Sequence, residues 1–363
     1  MKTWVLRVTR IQHEAIGTKT VFLERTDGLP FVYQAGQFLT FLLSLRGREL
    51  RRSYSLSTAP GIDPVPAVTI KRVSNGEVSR HLMDHLQVGD ELISLPPMGK
   101  FTLEHLKDAG KPEDARRPVI FFIAAGSGIV PVFSLLKTAL ASRTGWRIIL
   151  LSQQHNEHQS PFRKQLHQLA AEYPEERLRW VNLLSERDGR LSNQKLEEWI
   201  DLLLPGQGEL RERGDPAGKG RANAVFYLCG PPAFMRMAQF TLRWKGIADA
   251  QIKKENFTVE FVPPPPLSID TSPKRITIYS GGQVYQYEVG WPATILQAGL
   301  ARRIPLPYSC RGGRCSTCMA RCLSGQVKMS INEVLTEKDL REGLVLTCVG
   351  YAETDVELSF DAV

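Results

Sequence analysis

Six cysteines carry the most pointed chemistry in this 363-residue sequence. Four crowd together as Cys310, Cys315, Cys318 and Cys322; Cys348 follows Cys318 after twenty-nine residues, and Cys229 stands far upstream. Such a layout is poor for a disulfide framework and suits thiolate ligation. Four thiolates converging from a tight loop and one anchored strand are what a pair of sulfide-bridged irons requires, and Gly312 and Gly313 let backbone N–H groups approach the sulfurs. Zinc also takes four thiolates, typically as two short C-x2-C knuckles, and only Cys315/Cys318 has that spacing. Taking Cys322 as the fourth ligand gives C-x4-C-x2-C-x3-C; bacterial cubane runs instead open with C-x2-C and place Pro after the last Cys, where Leu323 stands here. Cys322 is therefore read as a free structural thiol, and the expected metal ligands are Cys310, Cys315, Cys318 and Cys348.

The spacing C-x4-C-x2-C with a distant fourth cysteine resembles the plant-type [2Fe–2S] ferredoxins. The resemblance spans the last ninety residues and implies a β-grasp ferredoxin domain at 274–363. Plant ferredoxins are typically acidic, whereas residues 273–363 hold ten Lys/Arg against nine Asp/Glu. A carrier tethered to its own electron donor has less need of steering by charge.

A donor is readable upstream. Arg52-Ser53-Tyr54-Ser55 offers a guanidinium for a pyrophosphate, an aromatic ring to stack on an isoalloxazine and a hydroxyl for its N5 region. Gly76-Glu77-Val78-Ser79 opens a short helix whose N–H groups suit a diphosphate. Ala124-Ala125-Gly126-Ser127-Gly128-Ile129-Val130-Pro131 follows an apolar strand, with Gly126 and Gly128 permitting a tight strand-to-helix turn and Pro131 fitting a first helical turn. Cys229-Gly230-Pro231-Pro232 follows another strand.

These four patterns, in this order, resemble the ferredoxin–NADP reductase superfamily. With the ferredoxin module behind them, the whole chain resembles the reductase components of bacterial oxygenases, nearest to the phenylacetyl-CoA epoxidase reductase type. The resemblance implies a nicotinamide nucleotide across Gly126, Gly128 and Pro131 and across Cys229, Gly230 and Pro231, with Cys229 near the hydride path. It also implies that Glu255-Asn256-Phe257 brings Phe257 beside the flavin; plain core packing is the alternative for both Cys229 and Phe257. FAD is favoured over FMN by Pro96-Pro97-Met98-Gly99-Lys100-Phe101 and by AAGSGIVP. NADPH is favoured over NADH, which stays possible, because Ser152-Gln153-Gln154-His155 offers no ribose-binding acid and Arg163-Lys164 lies further on.

The elements needed to position these residues form a multidomain architecture. An antiparallel β-barrel for FAD is expected at 1–110, with strands at 34–45, 52–57, 67–73 and 91–95 and a helix at 79–86. An α/β parallel-sheet nucleotide domain is expected at 111–261: strands 119–124, 147–151, 179–183 and 225–228 alternate with helices 131–141, 162–172 and 193–203. A polar connector at 109–118 and a Gly-rich loop at 205–221 punctuate these two units. The loop's GDPAGKG departs from a Walker phosphate loop in spacing and in lacking its hydroxyl. Residues 262–273 read as a stiff Pro-rich linker. Beyond it, strands 275–280 and 284–289 form a hairpin and 292–301 a helix.

Composition adds exclusions. Forty-six Lys/Arg against thirty-eight Asp/Glu leave a net +8 spread along the chain, which marks no nucleic-acid stripe. The longest apolar run, 119–125, is too short for a transmembrane segment, which needs about 20 residues. The first ten residues alternate like a strand without a signal core, so the expected location is cytoplasmic. His81 and His85 share a helix face with no third ligand in sight and read as the polar side of that helix. The function implied by the resemblance is electron transfer from NADPH through FAD and [2Fe–2S] to an external one-electron acceptor protein: an oxygenase, desaturase or cytochrome P450. A free flavin reductase (diaphorase) and an iron–sulfur redox sensor are the alternatives.

Overall fold

The computed structural model describes residues 3–103, 119–142, 145–204, 224–257 and 272–361. The expected connector at 109–118, the loop at 205–221 and residues 262–271 of the Pro-rich linker lie outside that set, and with them the expected boundaries at 110/111 and 261/262.

The N-terminal unit contains β1 (Trp4–Ala15), β2 (Thr18–Arg25), β3 (Phe38–Leu45), β4 (Arg48–Ser55), β5 (Ala67–Lys71), α1 (Glu77–His85) and β6 (Glu91–Ser94). The strands make one antiparallel sheet in the order β4-β3-β6-β1-β2-β5, and a Leu56–Val68 bridge brings its two ends together as a barrel. Alternation builds it: Trp4, Leu6 and Val8 point inward while Val5 and Arg7 face out, and Leu23, Phe41 and Ile70 complete the interior. β2 was not expected from sequence, because its Thr18-Lys19-Thr20 start reads as polar. All three are buried: Thr20 bonds Thr69 at 2.7 Å, and Lys19 Nζ donates to the Met83 and Leu86 carbonyls ending α1. β3 starts at Phe38 rather than at 34, since Gly36 must turn with φ +85° to clear the Phe101 carbonyl, 1.9 Å from where a Cβ would sit.

The central unit contains β7 (Val119–Ala125), α2 (Ile129–Ala141), β8 (Arg147–Gln154), α3 (Arg163–Glu172), β9 (Leu178–Leu184), α4 (Ser185–Asp188), α5 (Asn193–Leu203), β10 (Ala224–Cys229), α6 (Pro232–Trp244) and β11 (Ile252–Glu255). All five strands are parallel, in the order β11-β10-β7-β8-β9. β7 is buried along its full length, as a strand covered by helices on both faces must be. Its Phe121 and Phe122 pack into opposite clusters, each side chain contributing roughly 1.5–3 kcal/mol by leaving water.

Arg177 completes α2: its guanidinium donates to the carbonyls of Ala139, Leu140 and Ser142 at 2.9–3.2 Å and to that of Trp146. Those carbonyls lack helical partners, and a cation there also suits the helix dipole. Arg177→Ala is expected to destabilise the protein by about 2–3 kcal/mol. Urea unfolding monitored by circular dichroism checks this; an unchanged midpoint contradicts it.

The C-terminal unit contains β12 (Lys274–Ser280), β13 (Gln283–Val289), α7 (Ile295–Ala301), β14 (Met319–Ser324), β15 (Val327–Met329), α8 (Glu337–Arg341), β16 (Leu344–Leu346), β17 (Gly350–Ala352) and β18 (Val356–Ser359). Its mixed sheet, β13-β12-β18-β14-β16, has β12 and β18 parallel and shares one apolar core with α7. This is the β-grasp arrangement. α7 starts three residues later than expected, because Thr294 and Gln297 form a capping box there.

The units are joined by specific contacts. Ser134 Oγ on α2 donates to the Thr58 carbonyl at 2.5 Å, Lys137 pairs with Asp63, and Tyr227 Oη donates to the Thr102 carbonyl at 3.0 Å. On the other side of the barrel, the Ser53 and Ser309 hydroxyls lie 2.6 Å apart, and Arg51 stacks 3.8 Å over the Tyr308 ring.

Candidate functional site

The loop at 308–318 leaves the β-grasp core and turns its cysteines inward. Arg311 and Ser316 adopt left-handed φ of 56° and 55°, conformations that non-glycine residues adopt only when held by their surroundings. Gly313 takes φ +71°, and a Cβ there would meet Ile331 at 2.8 Å. The strained turn aims backbone donors at sulfur: Cys310 N–H at Cys315 Sγ (3.4 Å), Gly312 N–H at Cys310 Sγ (3.3 Å) and Gly313 N–H at Cys348 Sγ (3.4 Å). Cys318 and Cys348 are buried and tied together, since Thr347 Oγ1 donates to the Cys318 carbonyl at 2.9 Å.

The thiols of Cys310, Cys315 and Cys348 shift one another. Cys315 and Cys348, with the Gly312 and Arg314 amides, hold the Cys310 thiol far below its ordinary value; Cys348 is pushed up by Cys310, Cys318 and burial. Four mutually repelling sulfurs under converging amides fit a multinuclear cationic centre. Among the described residues no three His, Cys, Asp or Glu side chains close on a single-ion site. Cys322 stays outside the group, half-buried beside the Ser324 carbonyl.

A cavity of about 470 Å³ lies against this loop. Arg52, Ser53, Ser55 and Phe38 form its barrel wall, Glu255, Asn256 and Phe257 its second wall, and Cys310, Arg314 and Cys315 its third. The structure thus brings Arg52, Ser55, Phe257, Cys310 and Cys315 to one place. Tyr54 is not among the lining residues. Side chains alternate along β4, so Tyr54 turns from Ser53 and Ser55 toward the barrel, its ring 5.8 Å from that of Phe41. Burial pushes its hydroxyl up to about 12. Gly76 caps α1, and Ser79 Oγ bridges the Val73 amide and the Gly76 carbonyl at 3.1 and 3.2 Å; neither residue lines the cavity. That turn presents a helix N-terminus of the kind a diphosphate takes.

The nucleotide motifs also converge. Gly128 packs so tightly on β10 that a Cβ would sit 2.0 Å from the Cys229 carbonyl oxygen, and one on Gly230 would meet the Phe234 ring at 2.7 Å. Gly126 turns with φ +55°, Pro131 is buried in α2, and Pro231 precedes α6 in extended geometry. Cys229 ends β10 fully buried in the apolar core, its thiol pushed up by burial and by Glu255. β8 runs three residues past its expected end. Gln153 and Gln154 are therefore buried, with Gln154 Nε2 donating to the Gly126 carbonyl at 3.0 Å, while His155 Nδ1 lies 3.3 Å from Ser185 Oγ.

Glu255, read from sequence only as the start of the Glu255-Asn256-Phe257 segment, and Lys71 stand at the site without a role assigned to them there. Glu255 sits beside Cys229 across the β10–β11 register, takes a 3.4 Å hydrogen bond from Ser55 Oγ and is buried, which pushes its carboxyl up to about 8. It joins the flavin motif to the nucleotide motif. Lys71, half-buried at the end of β5, holds Nζ 3.9 Å from where a Cβ on Gly126 would stand. A basic residue ending the strand before the Gly76–Ser79 turn was the available signal.

Antiparallel barrel, parallel nucleotide sheet and β-grasp unit together define a flavin- and iron–sulfur-type oxidoreductase. Residues 17–103 match the oxidoreductase FAD-binding domain, 122–239 the oxidoreductase NAD-binding domain, and 278–353 the 2Fe-2S iron-sulfur cluster binding domain. The 3-ketosteroid-9-alpha-monooxygenase ferredoxin reductase component of Mycobacterium tuberculosis is 33% identical over 91% of this chain and 86% of its own length. One subunit of the 1,2-phenylacetyl-CoA epoxidase of Escherichia coli is 29% identical over 98% of this chain and 97% of its own length. The solved structure of phthalate dioxygenase reductase, described as a modular structure for electron transfer from pyridine nucleotides to [2Fe-2S], shares the fold: TM-score 0.55 and 20% identity over 98% of this chain and 97% of that one. The chain belongs to the family of ferredoxin reductase components of oxygenases.

Proposed function

We propose that this protein carries electrons from NADPH through FAD and a [2Fe–2S] cluster to an external one-electron acceptor protein, an oxygenase component in the first instance and a desaturase or cytochrome P450 otherwise. One observation carries the reading: Cys310 and Cys315 form a wall of the same cavity as Arg52, Ser55, Glu255 and Phe257. A free flavin reductase gives no reason for that shared wall, and a redox sensor gives none for the Gly126–Gly128 turn against Cys229.

When bound, FAD accepts the two electrons of a hydride and releases them singly, and the cluster takes them one at a time. The residues supply placement and protons. Arg52 would bind the pyrophosphate, with the Gly76 and Ser79 turn completing its cradle, and Phe257 would cover the isoalloxazine on one side. Tyr54 would support the ring from the barrel, and the Ser55 hydroxyl, shared with Glu255, would hold a proton near N5. Gly126, Gly128, Pro131, Cys229, Gly230 and Pro231 would shape the nicotinamide site, with Lys71 beside its phosphates. Cys310, Cys315, Cys318 and Cys348 would hold the cluster. Six cysteines without a disulfide suit a reducing, cytoplasmic setting, and no helix among the described residues is long and apolar enough to cross a membrane.

Anaerobically purified protein is expected to be coloured, to contain iron, acid-labile sulfide and FAD, and to reduce cytochrome c with NADPH at lower KM than with NADH. Colourless protein lacking all three sinks the reading. Lys71→Ala is expected to raise the KM for NADPH about tenfold by removing a charged contact to phosphate; an unchanged KM in steady-state ferricyanide assays removes Lys71 from the site.

A further inference from the structure

Glu333 lies outside every motif, between β15 and α8, yet it touches both sides of the shared cavity. One carboxylate oxygen accepts from Arg314 Nη2 at 3.1 Å, inside the cysteine loop; the other accepts from Asn256 Nδ2, between Glu255 and Phe257. Its backbone N–H also donates to the Gly313 carbonyl at 3.3 Å, which fixes the carboxylate relative to the loop. The Arg314 and Glu333 side chains are only 9% and 20% exposed, so solvent screens the pair far less than a surface ion pair. The barrel and the C-terminal unit also meet through Lys100 to Asp339 at 2.5 Å, the Ser53 and Ser309 hydroxyls, and Arg51 over Tyr308, but none of these reaches the Glu255–Asn256–Phe257 wall.

We propose that Glu333 is a positioning residue for electron transfer between flavin and cluster, clamping the cysteine loop to the Glu255–Asn256–Phe257 wall so that Cys310 and Cys315 stay against the cavity. The inference rests on the function proposed above. Each transfer takes one electron from the reduced flavin and adds it to the oxidised cluster, with no bond made or broken in the protein. Asn256 Nδ2 and Arg314 Nη2 both donate here, and the carboxylate offers each its own oxygen. Glutamine keeps the size and one oxygen but turns its amide NH2 toward the second donor. Removing the acceptor also takes a buried charged partner from the Arg314 guanidinium beside the loop.

The full-length protein with both cofactors tests this in wild type, Glu333→Ala and Glu333→Gln. Glu333→Ala is expected to keep its iron and FAD content and its NADPH–ferricyanide rate, while flavin-to-cluster transfer in single-turnover absorbance traces slows about tenfold, with Glu333→Gln intermediate. Independently of turnover, amide hydrogen exchange is expected to rise at 308–315 and at 254–257 together, the two segments that Glu333 joins. Loss of both rates in proportion, or unchanged exchange in both segments, overturns the clamp. Should Glu333→Ala lose its cluster, Glu333→Gln decides: equal single-turnover rates in Glu333→Gln and wild type overturn the proposal. A wild type that cannot reduce its own cluster with NADPH instead overturns the function on which the clamp depends.

Discussion

Cys348→Ser is expected to abolish NADPH-driven cytochrome c reduction while leaving ferricyanide reduction near the wild-type rate. The split follows from where the side chain lies. Cys348 is buried behind the loop, receives the Gly313 amide at 3.4 Å and does not line the cavity shared by Arg52, Ser55 and Phe257, so on the proposed assignment its loss removes a cluster ligand without reshaping that cavity. Serine offers a harder and far less acidic donor, and a deprotonated ligand is what the metal needs. Changing a supporting residue around a metal typically costs roughly 10–100-fold in affinity or activity, and removing a ligand should exceed that. The measurements are iron and sulfide content, the electron paramagnetic resonance signal after dithionite, and the ratio of the two acceptor rates. A variant that keeps its signal and reduces cytochrome c at the wild-type rate excludes Cys348 as a ligand. Cys322→Ser, by contrast, should change neither rate, because the Cys322 thiol faces the Ser324 and Gly325 carbonyls, away from the cysteine loop.

Much of the site was legible wherever its chemistry is written contiguously. The cluster loop needs its ligands at short, fixed separations, so C-x4-C-x2-C is visible without a fold. Gly128 is visible for the same reason: the turn tolerates no side chain against the Cys229 carbonyl. Helix α5 agrees with the sequence reading at both ends, because Ser192 caps it and Leu196, Ile200 and Leu203 repeat at helical spacing. The residues whose roles went unassigned owe their character to distant partners. Glu255 ends the edge strand Ile252-Lys253-Lys254-Glu255, which reads as a charged surface; only pairing with Cys229 and closure by Ser55 make its carboxyl buried. Lys19 in β2 is hidden likewise, its ammonium turned onto the end of α1. Motif reading also groups Tyr54 and Ser55, although the period of a strand sends them to opposite faces. Glu333 could not have been found, since its partner Asn256 lies seventy-seven residues away.

Glu255→Gln is expected to remove a pH dependence of both stability and turnover. The wild-type carboxyl, ordinarily near 4.5, is pushed up to about 8 by burial, with the Ser55 hydrogen bond pulling the other way. In the unfolded chain it ionises near 4.5, so between about 4.5 and 8 the folded protein holds a proton that the unfolded chain has lost. Its contribution is full below 4.5 and is lost as pH rises through 8. At roughly 1.4 kcal/mol per unit of pKa difference, that is a few kcal/mol over the range. Glutamine does not ionise, so the thermal midpoint of the flavin-loaded variant should be flatter from about pH 5 to 8 and should exceed wild type at about pH 8. Turnover moves oppositely. A proton held near neutrality between Ser55 Oγ and Glu255 Oε2 stands where the flavin and nucleotide motifs meet, and general acid–base groups of this kind contribute about 10²–10⁴-fold. NADPH–ferricyanide turnover in Glu255→Gln should therefore fall by about 10²-fold and lose its inflection near pH 8. Parallel pH profiles for variant and wild type, in either midpoint or rate, would mean that the buried carboxyl is neither titrating nor passing a proton in this range.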